Sequence, residues 1–315
     1  MPRAGPGDPL PEISVIVRAR DEAPSIGRCL ELLAGQRTEG RSVEVIVVDS
    51  GSRDRTVQIA RSHGARTIAI PPREFTFGRA LNLGAAGARG ELLVALSAHA
   101  FAVEESWLSR LAERLSDPGV ACACGERYGP DDLPLTAAVE QDLALARRRP
   151  MWGYSNGAGA FPAALWRRRP FREDLPGCED KEWALHWLAH GYRCVVDPAL
   201  SVEHDHTRDS LLSLYRRARR EAAGYASFLD LPPYGPSALA REWWCQRGWH
   251  SSALRARASP RRAARLVGTY AGRARVAGGA RAPVLEQDPV PEQAPVPADA
   301  PMPEDAQPCS GPRDD

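Results

Sequence analysis

The chain is nearly without lysine: among 41 Lys and Arg side chains, Lys181 is the only lysine. Beside 27 Gly and 28 Pro, that surplus of arginine reads as a GC-rich coding bias rather than a functional choice. The formal charge is only +1, so no overall field draws the chain to nucleic acid, and no nucleic-acid partner is expected. None of the seven cysteines forms a C-x-x-C pair at zinc-ribbon spacing, and a chain this long is not a cysteine-dense disulfide scaffold. Reduced thiols in a cytoplasm are expected. No apolar run reaches the roughly 18 residues that span a bilayer, and Met1 to Pro11 lacks the apolar stretch of a secretory signal. No glycine-rich phosphate loop follows the first apolar run, where the residues are Arg18-Ala-Arg-Asp-Glu22. That argues against a dehydrogenase or a nucleotidyltransferase of the doubly wound type.

What is present is an alternation of strands and helices. Ile13 to Val17 and Val43 to Val48 are continuous β-branched runs, the pattern of buried strands. Between them Pro24 opens a helix carrying Ile26, Leu30 and Leu33 on one face. Ser52 and Asp54 are placed to cap a second helix that stops at Gly64. Further strands are expected at Thr67 to Ile70, Glu91 to Leu96, Val120 to Cys124 and Arg193 to Val196. Helices are expected at Arg79 to Arg89, Glu104 to Leu115 and from Glu179 onward. This order predicts an α/β fold with a mostly parallel sheet and helices on both faces. Ligands of such sheets lie beyond the carboxyl ends of the strands, so the polar residues there carry the functional reading. The expected division is a tail over 1–12, the α/β domain over 13–207, a basic helical extension over 208–277 and a disordered Pro/Ala/acid-rich tail over 278–315.

Val43-Glu-Val-Ile-Val-Val-Asp49-Ser-Gly-Ser-Arg-Asp54 is a strand that delivers a carboxylate to the ligand edge. Asp49 there can accept hydrogen bonds from a nucleobase or ribose, or it can simply shape the turn that opens the next helix. Together with Ile13-Ser-Val-Ile-Val-Arg-Ala-Arg20-Asp-Glu22 and Phe77-Gly-Arg79-Ala-Leu-Asn82-Leu-Gly84, this segment resembles family 2 glycosyltransferases of GT-A fold, in particular bacterial rhamnosyltransferase-like members. The resemblance runs from Ile13 to about His206. It implies an inverting enzyme that takes a nucleoside-diphosphate sugar as donor and a saccharide or lipid-linked hydroxyl as acceptor, in cell-surface polysaccharide or glycolipid synthesis. By the same resemblance Arg18, Arg20, Glu22 and Asp49 face the nucleoside, Asp54 supports their loop, Arg79 reaches a phosphate and Asn82 lies beside the donor. For Arg79 the bland alternative is a solvated arginine at a helix start.

One landmark departs from the pattern. Where family members carry an Asp-x-Asp that holds Mg²⁺ or Mn²⁺, this chain reads Ser97-Ala98-His99. Hard cations prefer carboxylate oxygens, so a divalent metal is an open question, with Ser97 beside the donor and His99, His204 and His206 as the tentative ligands. The alternative is a binding protein that has lost turnover. Glu179 and Asp180 resemble the family's acidic motif at the acceptor, with Asp180 the expected general base and Glu179 second. Their bland alternative is a favourable place at a helix N-terminus. Trp183 and Trp187 can line a sugar site or belong to the core, and Asn156 is the expected contact to the donor sugar. The arginine-rich stretch from Tyr215 to Arg265 can lie on an anionic membrane surface, at the inner face of the plasma membrane, or pack as a solvated helical face.

Overall fold

The computed structural model describes residues 12–204, 210–231, 234–244 and 259–274. Its centre is β1 (Ile13–Ala19), which pairs in parallel with β2 (Val43–Asp49) on one side and β4 (Leu92–Ser97) on the other. β3 (Arg66–Ala69) extends that edge beyond β2, also in parallel. The remaining strands of the main sheet are β6 (Val120–Cys124), β7 (Val139–Gln141), β8 (Ala158–Pro162) and β9 (Arg193–Val196). The order is β3-β2-β1-β4-β8-β6-β9-β7. β8 is antiparallel to both β4 and β6, and β7 is antiparallel to β9, so the sheet is mixed but mostly parallel. A two-stranded ribbon pairs β5 (Ala100–Phe101) with β10 (Glu203–His204).

Alternation along β1 divides the core in two. Ile13, Val15 and Val17 point to one face of the sheet, where α1 (Ile26–Ala34), α2 (Thr56–Ser62) and α4 (Trp107–Arg114) supply Leu30, Leu33, Ala60, Trp107 and Leu111. Ile16 points to the other, against α3 (Phe77–Ala86) and α7 (Glu179–Ala189), with Leu81, Trp183 and Leu188. Each large side chain buried this way contributes roughly 1.5–3 kcal/mol. Trp183 and Trp187 are 0% and 2% exposed and pack edge to face, so they belong to the core and line no sugar site. Cys122 and Cys124 lie in the same core cluster, both as free thiols.

Several expected boundaries move. α3 begins at Phe77 rather than Arg79, because the Thr76 hydroxyl caps the Arg79 amide at 3.0 Å, and it ends before Gly87 rather than Gly90. α2 begins only at Thr56, and Ser52 does not cap it. Between β7 and α7 lie two short helices, α5 (Leu143–Arg148) and α6 (Ala163–Arg168), that the apolar pattern does not announce. The arginine-rich stretch contains α8 (Leu211–Ala226), α9 (Pro236–Trp244) and α10 (Pro260–Arg273). None of the described helices is long and apolar enough to cross a membrane. Of the tails expected over 1–12 and 278–315, residues 1–11 and 278–315 lie outside the described residues, as does the candidate ligand His206.

Glycines set two close approaches. A Cβ on Gly272 of α10 would stand 2.2 Å from the Arg219 carbonyl of α8, and one on Gly224 of α8 would stand 2.3 Å from the Gly177 carbonyl before α7. α10 is thereby docked on α8, and α8 on the segment that precedes α7. In the core, a Cβ on Gly84 would lie 2.3 Å from Ile16 Cγ2 and 3.1 Å from Val48 Cγ2. Both neighbours are β-branched and cannot swing aside. Gly84→Ala is therefore expected to cost about 1–3 kcal/mol, read as a lower urea midpoint at unchanged slope. An unmoved midpoint would show that α3 can lift from the sheet at no cost.

Candidate active site

The parallel register brings Arg18 level with Ser97, and Ala19 level with Asp49, at the carboxyl ends of β1, β4 and β2. The loops after β1 and β2 are laced together. The Asp21 amide donates to Ser52 Oγ at 2.8 Å, the Glu22 amide to Thr56 Oγ1 at 2.8 Å and the Ala23 amide to Asp54 Oδ2 at 3.0 Å. Burial opposes the charge on Asp54, but hydrogen bonds from Thr56 and Ala23 outweigh it and hold the carboxyl below its usual range. Asp49 is 5% exposed and accepts the amides of Gly51 and Ser52, both at 3.1 Å, with the Ser52 hydroxyl closing the turn. Its oxygens are thus spent on its own turn. Arg20 is exposed just past the end of β1.

β8 runs against its neighbours, so its entry loop, not its exit, arrives at this edge. That loop carries Asn156, 1% exposed, whose carbonyl accepts from Arg18 at 2.8 Å and whose amide donates to Asp180 Oδ2 at 3.1 Å. Its side-chain oxygen accepts from the Tyr154 hydroxyl at 2.8 Å. The next residue, Gly157, ties the loop to β4 through its carbonyl, which accepts the Ser97 amide at 3.0 Å. α7 starts here behind Cys178, held at φ +63°, with Glu179 and Asp180 in its first turn. Arg18 faces Glu179 at 3.6 Å, both side chains largely buried. Burial pushes the Glu179 carboxyl up to about 7; neighbouring Asp180 adds to the rise and Arg18 opposes it. Asp180 is only half-buried and also accepts the Lys181 amide at 2.8 Å. Two adjacent carboxylates thus sit in different surroundings, one buried against a cation and one open to the edge, the arrangement that separates acid and base roles.

The histidine corner forms one side of the edge. His99 Nδ1 is 2.8 Å from Glu22 Oε1, and the ribbon of β5 and β10 brings the His204 ring to 6.3 Å from the His99 ring. Among the described residues no three His, Cys, Asp or Glu side chains converge as a metal site. Arg79 lies between Glu74 at 3.5 Å and Glu173 at 3.3 Å. The Asn82 amide nitrogen donates to the Phe171 carbonyl at 2.8 Å and to Glu173 at 3.0 Å, while its oxygen accepts from Trp166 and the Phe171 amide, each at 3.0 Å. The structure gives Asn82 the work of strapping α3 to the segment before α7, since no donor or acceptor of its amide is left over.

The family model described as glycosyl transferase family 2 matches residues 14–175, about half of the chain. The chain belongs to that family. It is similar to the O-antigen chain rhamnosyltransferase WbaN of Salmonella anatum, 30% identical over 192 residues that cover 55% of this chain and 60% of WbaN. It is also similar to glycosyltransferase AglE of Haloferax volcanii, 32% identical over 115 residues, 35% of this chain and 38% of AglE. It thus spans less than two thirds of either relative. In fold it is similar to the mannosyltransferase PcManGT of Pyrobaculum calidifontis, solved with GDP-Man and Mn²⁺. The TM-score is 0.57 at 23% identity, covering 87% of this chain and 88% of that one.

Around the family 2 edge the structure adds residues that the motifs do not name. Lys181 donates to the Gly153 carbonyl at 2.8 Å and so anchors the Tyr154–Asn156 loop to α7. Glu126, just past β6, has its carboxyl pushed up by burial and pulled back by Lys181. Phe77 presents its ring to Arg18 at 5.5 Å and to Arg220 at 4.5 Å. The lone lysine was the one visible signal. Glu126 and Phe77 carry none without coordinates.

The raised Glu179 carboxyl has a thermodynamic consequence. Its ordinary value of 4.5 rises to about 7 in the fold, so the folded chain holds this proton more tightly than the unfolded one. The stability it confers is full below about pH 4.5 and is lost as pH rises through about 7. Glu179→Gln lacks this titration. Its melting temperature relative to wild type is expected to climb over that window and level off above it. Parallel melting profiles from pH 4 to 8 would show that burial does not govern this carboxyl.

Proposed function

We propose that this family 2 chain transfers a sugar from a nucleoside-diphosphate sugar to a hydroxyl of a saccharide or lipid-linked acceptor, with inversion at the anomeric carbon. The observation that carries the reading is the half-buried Asp180, held by the Asn156 amide at 3.1 Å beside the Arg18–Glu179 pair at the carboxyl edge of the sheet. A sugar hydroxyl is a weak nucleophile, and a carboxylate that takes its proton as it attacks lowers the barrier. In this reading Asp180 takes the proton, the acceptor oxygen bonds to the anomeric carbon from the face opposite the diphosphate, and the bond to the diphosphate breaks. Glu179 remains beneath and positions Arg18. The laced loops of Arg18, Arg20, Glu22 and Asp49 receive the nucleoside, with Asp49 and Asp54 fixing their shape rather than touching the base. The resemblance to an O-antigen rhamnosyltransferase supports a cell-surface polysaccharide as the acceptor class.

PcManGT was solved with Mn²⁺. Here the described residues do not by themselves fit a hard divalent ion. His99 meets Glu22, Ser97 brings no charge, and no third ligand joins them among the described residues, which exclude His206. No step is therefore routed through a metal. The same Ser97-Ala98-His99 segment favours a second reading, in which donor is bound but not turned over.

Both readings meet one experiment, a panel of nucleoside-diphosphate sugars assayed for binding and for hydrolysis or transfer with Mg²⁺, with Mn²⁺ and with chelator. Turnover of one donor is expected; binding with no turnover under any condition would favour the second reading. With the active donor, Asp180→Asn is expected to lower kcat about 10²- to 10⁴-fold while the donor Kd stays at the wild-type value. Wild-type turnover in that variant would remove Asp180 from the role of base.

A further inference from the structure

A departing diphosphate carries charge that the protein must meet, and preorganised cations in a poorly solvated site do so most effectively. The arginines packed into this fold mostly have a carboxylate of their own. Arg114 lies 2.8 Å from Asp197, Arg169 lies 2.6 Å from Glu182, and Arg172 lies 2.7 Å from Asp174. Arg220 of α8 is half-buried and has no such partner among the described residues. Its guanidinium instead lies over Phe77, 4.5 Å from the ring centroid, on the same ring that Arg18 approaches at 5.5 Å. Its stem runs along Gly177, where a Cβ would come 3.2 Å from Arg220 Cγ. Phe77 opens α3, so the free amides of that helix start add to the positive field of the two arginines.

The surroundings leave Arg220 short of negative charge. Burial weakens its hold on its proton, neighbouring Glu221 and Glu179 restore part of it, and Arg217 on the same helix works against it. Desolvating a cation without an ion pair is costly, and such a group gains when an anion arrives. The helix that carries it is fixed in place by Gly224 against the Gly177 carbonyl and by Gly268 and Gly272 of α10 against α8. A ligand anion therefore meets a held guanidinium rather than a mobile one.

We propose that Arg220 binds the diphosphate of the donor, so that a helix from the arginine-rich stretch completes the nucleotide site begun by β1 and β2. This rests on the nucleotide-sugar reading given above. It is tested on the full chain by calorimetry with UDP, GDP and dTDP and with the matching nucleosides, comparing wild type with Arg220→Met and Arg220→Lys. Methionine keeps contact with Phe77 but removes the charge. For the nucleotide that wild type binds, Arg220→Met is expected to weaken the diphosphate about tenfold or more and leave the nucleoside unchanged, with Arg220→Lys between the two. Equal diphosphate affinity in Arg220→Met overturns the assignment. An equal loss of nucleoside and diphosphate also overturns it, because that pattern reports packing. If wild type binds none of the three diphosphates, and neither ADP nor CDP, the nucleotide-sugar reading itself fails, and the role of Arg220 falls with it.

Discussion

The arrangement of the site depends on Arg18, an arginine near the end of the central strand. It reaches the Asn156 carbonyl, the Glu179 carboxylate and the Phe77 ring, and so touches three segments far apart in the chain. Yet it is poorly paid for its burial: its ion pair is 3.6 Å long and its Nε has no partner. The opposite edge of the sheet shows what a settled charge looks like in this fold. There Glu44 accepts from Ser14 at 2.7 Å and meets Arg66 at 3.0 Å and Arg89 at 3.3 Å. Buried ion pairs add little to stability even when well made. An incomplete one is a weak strut, in keeping with the nucleotide-binding role proposed for this edge.

Topology is what gathers the partners of Arg18. In a purely parallel sheet the segment entering the strand next to β4 would lie at the far edge. Because β8 runs backward, pairing Ala158 with Leu96, the loop of Tyr154 to Asn156 is brought to the ends of β1 and β4. Asn156 then passes the arrangement on to α7 through Asp180, and Lys181 secures it from the other side through Gly153. The αL turn at Cys178 aims the first turn of α7 at this loop. A chain of short polar contacts thus sets the position of the proposed base, with the Trp183–Trp187 core holding the helix from behind.

The sequence makes the donor half easy to read and the rest hard. β1, β2 and β4 are long apolar runs between polar turns, and their carboxyl ends follow directly from the pattern. β8 is Ala-Gly-Ala-Phe-Pro, too short and too poor in β-branched residues to announce a strand, so its reversal was invisible. Asn82 sits in a recognisable motif, but the motif does not say that all its hydrogen bonds stay within the protein. Asp49 offered two uses from sequence alone, and the structure shows the turn contacts. Arg220 was hidden for the opposite reason, since the arginine proposed here to bind diphosphate cannot be told from many solvated ones without knowing which lack a carboxylate.

The family match ends at residue 175, just before the acidic pair and α8. The portion shared with the family thus supplies the laced loops and the strand ends suited to a nucleotide. The remainder supplies Glu179 and Asp180, the acids proposed to face the acceptor, and α8 with Arg220, proposed to meet the donor's diphosphate. That division has a physical logic. A helix docked through glycine contacts can change its surface without disturbing the sheet. Gly177 and Gly224 both lie beyond the match, and their contact fixes the depth at which α8 rests against the segment that opens α7. The position of Arg220 is set by the same contact that seats α8, so the proposed diphosphate site and the docking of this helix are linked.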